Sequence, residues 1–175
     1  VFLVLVSAAV LRFIGTDRMF WGSDELGHLF SGIRLHLLPF WNLGADVREN
    51  FFKSLVMPVH GFVDNVFFYV VVGVFRVLNV PVTEAHLFQA GAVLSVATLV
   101  VLLFFVRRLF GLGAALAALA LTAWSAPLIV FAKLGYQMNF TMFLNVAILY
   151  GYVLHVSQNR WPHSLLMGVL MVLCA

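Results

Sequence analysis

After position 86 the chain is a series of long apolar runs broken by short polar interruptions. Residues 87–106, 112–131 and 138–156 each hold about the 20 apolar residues that a helix needs to cross a bilayer, and 162–175 begins another such run. Leu, Val and Ala follow one another there without two-residue alternation. Backbone polar groups in lipid must be satisfied within the segment, so the pattern predicts helices and not the strands of a barrel. Residues 1–14 read as a first span. Both termini fall inside apolar runs, and the expectation is the N-terminal part of a longer polytopic protein. The expected fold is all-α: a polytopic integral membrane helical bundle with amphipathic juxtamembrane helices in its first outer loop, residues 15–86.

Within that loop, Ser23 precedes Asp24 and Glu25, followed by Leu26, Leu29, Phe30, Ile33 and Leu37 at helical spacing. Ser23 suits a helix cap, and the acids suit the positive end of the dipole. Pro39 ends the helix, and Trp21, Phe40 and Trp41 suit a membrane–water interface. Residues 62–78 form a second helical stretch, apolar but carrying Asp64, Asn65, Gly73 and Arg76. Its clean apolar core is about half the length of a span, so it is expected to lie on the bilayer surface without crossing.

Composition narrows the class. Hydrophobic residues are 63% and charged residues 10% of the 175, against about 45–50% and 25% in soluble domains. Arg12-Phe13 after the first run offers no small-residue cleavage site, so the run is not read as a signal peptide. The single cysteine, Cys174, excludes an internal disulfide or a cysteine-based zinc site. A net charge of +3 without a basic stripe excludes a nucleic-acid footprint. Arg107-Arg108 and Arg160 mark turns two crossings apart, hence on one side, which the positive-inside rule makes cytoplasmic. Lys133 to Asn139 then faces outside, and so does Asp24 if the 62–78 helix does not cross.

All seven acids lie between Asp17 and Glu84. Acids at a membrane-edge position are candidates for function, and Asp24-Glu25 leads. His28 follows them by one helical turn, so Asp24, Glu25 and His28, with His60, form a candidate divalent-metal set; no cofactor is otherwise implied. Asp64 and His60 are candidates for the rim of the site. Lys133, Tyr136, Gln137 and Asn139 are candidates for substrate binding in the later outer loop, with Lys133 or Arg34 available to meet a phosphate. Plainer readings stand beside these: dipole acids for Asp24 and Glu25, a cap for Asp64, a snorkelling span end for Lys133. His36, His86, His155 and His163 read as interface or core residues.

The order of these features carries a resemblance. Asp24-Glu25 opens a juxtamembrane helix, and Met57-Pro58-Val59-His60-Gly61 leads into the aromatic Phe67-Phe68-Tyr69. A span then ends in Arg107-Arg108-Leu109-Phe110-Gly111. The ordered set resembles the GT-C superfamily of polyprenyl-phosphate-sugar glycosyltransferases, specifically the protein-mannosyltransferase and aminoarabinose-transferase group. The resemblance implies an inverting transferase with its site outside the cytoplasm, with Asp24 as base or organiser of the acceptor. It implies a polyprenyl-phosphate-linked sugar donor, a lipid, glycan or protein acceptor, and a bacterial inner or plasma membrane. The chain departs from the family in having His60-Gly61 where a His-Pro-Pro turn is usual, and no acid in the Lys133–Asn139 loop.

A carboxylate is the right group for that chemistry. Inversion needs the acceptor oxygen deprotonated as it attacks, and Asp24 can take that proton; Glu25 would point about 100° away on a helix. Two competing classes are a transporter and a non-catalytic membrane subunit. A transporter tends to break helices or place charges mid-span, and the three clear runs show no central charge.

Overall fold

The computed structural model describes residues 1–16, 62–134, 136–158 and 161–174. These form six helices and, among the described residues, no strand: α1 Phe2–Phe13, α2 Phe62–Val77, α3 Glu84–Ala123, α4 Ala126–Leu134, α5 Tyr136–Gln158 and α6 Trp161–Cys174. The juxtamembrane helix expected after Ser23 lies outside the described residues. Two helices, α3 and α5, contain stretches long and apolar enough to cross a membrane.

The 40 residues of α3 do not run straight. One guanidinium, that of Arg12, lies 2.9 Å from both Ser95 Oγ and the Ala123 carbonyl. Along a straight helix those positions would be about 40 Å apart. The chain must therefore fold back between them, and the reversal is at Gly111, with φ 83° and ψ 179°. That region is open to glycine and essentially closed to other residues. The core shows the same hairpin: Leu99 and Leu103 on the first leg pack with Ala115, Leu119 and Ala123 on the second, and with Ala8 of α1. Each leg contributes residues four apart, one helix face, and the alanines let three backbones approach closely. The turn expected after Arg107-Arg108 is thus a helical hairpin.

The run 112–131 was expected to be one span, and its helix is in two pieces. The second leg of α3 ends at Ala123, and α4 begins at Ala126. Hydropathy continues across the interruption, which explains why the pattern hid it. Pro127 sits in the first turn of α4, where its missing N–H costs nothing. It has no N–H with which to continue the preceding helix.

The α2–α3 link is tightly specified. Val80 N–H reaches the Phe75 carbonyl at 2.7 Å, and Asn79 N–H reaches Arg76 at 3.2 Å. Asn79 takes a positive φ of 55°, so the pair forms a Schellman cap. Thr83 then caps α3 through its side chain to His86 N–H. The Phe75 and His86 rings meet edge-on at 6.0 Å. At 16 residues, α2 is about 24 Å long, short of an upright crossing of a core about 30 Å thick.

α5 packs along α3 and α6; α1 lies against α3 and α4; α2 touches α5 and α6. At one end of the bundle Arg108 Nη2 donates to Ser157 Oγ at 3.2 Å, and His155 Nδ1 pairs with Ser164 Oγ at 2.9 Å. The basic hairpin turn and the α5–α6 connection therefore share an end, as the charge pattern predicts. The turn between α4 and α5 lies at the other end of α5.

Candidate functional site

Arg12, in the last turn of α1, is only 1% exposed although α1 is otherwise apolar. It is held because α3 stops early. The last four carbonyls of a helix have no partner within it and carry the negative end of its dipole. Nη1 of Arg12 donates to the Ala123 carbonyl at 2.9 Å and to Ala8 at 3.2 Å. Nη2 donates to Thr122 at 3.2 Å, and Nε donates to Ser95 Oγ at 2.9 Å. The cation thus stitches α1, both legs of α3 and the helix break together. Trp124, at the break, donates its indole N–H to Ser7 Oγ at 3.0 Å, a second tie to α1.

Asn139 plays the matching part at the end of α4. It is 3% exposed, and its Nδ2 donates to the Phe131 and Ala132 carbonyls at 3.1 and 3.2 Å. Phe131 and Ala132 belong to the last turn of α4, so Asn139 caps that helix from the start of α5.

Between these two caps lies a cavity of about 190 Å³. Arg12, Ser95, Thr98, Thr122 and Asn139 line it together with Leu99, Leu102, Leu128, Phe131, Met142 and Val146, and the surface they present is mostly apolar. Thr98 and Thr122 donate their hydroxyls to carbonyls one turn back, Leu94 at 2.8 Å and Ala118 at 2.7 Å. This local bonding lets a hydroxyl sit in an apolar helix. The second leg of α3 rises about 18 Å from the hairpin turn, which puts the break and Arg12 at interior bilayer depth if the turn lies at one surface.

Of the residues expected from sequence, Asn139 lines this cavity. Both of its amide hydrogens are engaged with protein carbonyls, so its carbonyl oxygen is the atom with which it can meet a ligand. Lys133 lies in the last turn of α4, half-buried, next to Ala132. Tyr136 and Gln137 open α5 on the same turn. Asp64 lies in the first turn of α2, on an element packed against α5 and α6. Asp24, Glu25, His28, His60 and Arg34 lie outside the described residues. Among the described residues no group of three His, Cys, Asp or Glu could hold a metal.

Arg12, Ser95, Thr98 and Thr122 are the site residues that sequence reasoning missed. The available signal was a lone charge in an apolar run, with Ser95 and Thr98 three apart on one helix face. No protein-family model, curated protein or solved structure matches the chain.

Proposed function

We propose that the chain belongs to an integral membrane glycosyltransferase that moves a sugar from a polyprenyl-phosphate donor to an acceptor outside the cytoplasm. The observation that carries this reading is the position of the Lys133–Asn139 turn: it adjoins the cavity and lies at the end of α5 opposite the basic Arg108–Ser157 end. The ordered motifs from Asp24 to Gly111 supply the reaction class. Two helices long and apolar enough to cross a membrane support the setting. Only 33% of the most apolar window of α3, and 17% of that of α5, is buried. The core helix of a soluble protein would be mostly covered, whereas lipid accepts such a surface.

In this reading Asp24 takes the proton of the acceptor hydroxyl, and Lys133 stands near the donor phosphate. Replacing Asp24→Asn removes the base while keeping the shape. The expected outcome is transfer slowed by roughly 10²–10⁴-fold, measured with purified protein, a polyprenyl-phosphate sugar and membrane extract as acceptor source. Unchanged turnover in that variant, at wild-type Tm, would remove Asp24 from the mechanism.

One observation favours a transporter as the second reading. The α3–α4 break faces a buried cation and a cavity, and broken helices of this kind surround substrate sites in transporters. Solute flux in proteoliposomes lacking any lipid-linked sugar would favour it over transfer.

A further inference from the structure

We infer that the cavity at Arg12 binds the anionic head of an amphiphile, a carboxylate or phosphate oxyanion carrying an apolar chain, which enters between α4 and α5. The inference uses only α1, α3, α4 and α5 and does not depend on sugar transfer.

The first ground is charge balance. Buried charges in proteins are normally paired. Every partner of Arg12 among the described residues is a neutral oxygen. No acid occurs in residues 1–16 or 85–175, so the segments that build the cavity cannot supply one. The end of α3 offsets about half an elementary charge, so the described groups around the cavity sum to a net positive charge.

The second ground is the remaining hydrogen-bonding capacity. A guanidinium has five N–H donors, and four are engaged as described above, leaving one on Nη2. α4 adds to this, because it starts at Ala126, directly after the break. The N–H groups of Ala126 and Leu128 have no partner within α4, so the first turn of that helix carries free donors and the positive end of its dipole. Leu128 lines the cavity. A buried cation and the first turn of a helix thus border the same cavity.

The third ground is shape. Leu102, Val146 and Met142 continue the cavity away from Arg12, and Phe131 and Met142 are 51% and 40% exposed. They form an apolar mouth at the bundle surface. The volume equals about six waters at about 30 Å³ each, room for a head group and the first carbons of a chain, with the remainder lying outside along α4 and α5.

The test is equilibrium binding of radiolabelled dodecanoate to the full protein in phosphatidylcholine nanodiscs, competed with unlabelled dodecanoate, dodecyl phosphate or dodecanol. Saturable binding, one per chain, is expected, with one or both anions competing about tenfold or more better than the alcohol, as a charge-assisted hydrogen bond allows. Competition by dodecanoate alone would assign a carboxylate; competition by both would assign oxyanions generally. Because Arg12 also holds the fold together, Val146→Phe is the decisive variant: it fills the cavity and leaves Arg12 in place. Binding should weaken about tenfold or more at unchanged Tm. Equal competition by dodecanol, absence of saturable binding, or wild-type affinity in Val146→Phe would overturn the inference.

Discussion

A single side chain, Arg12, determines how the first helix joins the rest. Its guanidinium satisfies two carbonyls at the end of α3, one of its own helix and the Ser95 hydroxyl. Arg12→Met removes all four bonds and leaves acceptors buried in an apolar setting. The expected loss is about 1–3 kcal/mol, the range for leaving buried polar groups without a partner, measured by unfolding in bicelles. Arg12→Lys retains the charge but has three donors from one nitrogen, so an intermediate loss is expected. A change under about 1 kcal/mol in Arg12→Met would mean that lipid or water replaces these bonds. Little of this was legible in the sequence. A charge near the end of an apolar run reads as an interface residue, and the partners of Arg12 outside its own helix are 83, 110 and 111 positions away. Asn139 was legible as a polar residue in an outer turn, but not as the cap of the preceding helix.

At the scale of elements, the turns marked by charge were readable, and the break inside a continuous apolar run was not. Arg107-Arg108 followed by Gly111 marked the hairpin, and its bond to Ser157 fits the shared end expected from the basic residues. The α5 and α6 boundaries differ from expectation by about two residues or fewer, within the usual uncertainty of helix ends. The interruption at Trp124-Ser125 was passed over because apolar residues continue on both sides, although Pro127, which has no N–H to give the Ala123 carbonyl, is a local signal for it; a distant arginine then takes up that carbonyl. The hairpin makes a sharp prediction at glycine. A Cβ at Gly111 meets nothing within 4 Å, but the φ of +83° is hostile to L residues. Gly111→Ala should therefore destabilise by about 1–3 kcal/mol through backbone strain alone. Gly113, equally open but without a positive φ, is the control. Gly113→Ala should be neutral or stabilising by up to about 1 kcal/mol. Equal Tm values for the two variants would place the reversal elsewhere.

At the scale of the whole molecule, the account rests on which ends of the bundle face which compartment. On the proposed reading the basic Arg108–Ser157 end faces the cytoplasm, as its charges suit, and the Lys133–Asn139 turn, at the far end of α5, faces outside. The path of the chain between α1 and α2 decides whether Asp24 joins it, and residues 17–61, which contain Asp24, Glu25, His28 and His60, are not among those described. Their candidate roles come from the sequence alone, from acids gathered in one loop and from the order of motifs. The most direct measurement is labelling of single cysteines at Asp24→Cys, Lys133→Cys and Arg108→Cys, each with Cys174→Ser, in sealed vesicles with a membrane-impermeant maleimide. Reaction of positions 24 and 133 from the outside, with 108 reacting only after the vesicles are opened, is the predicted result. Labelling of 24 and 133 from opposite faces would contradict the account, because a base and a donor site separated by the bilayer cannot act on one sugar.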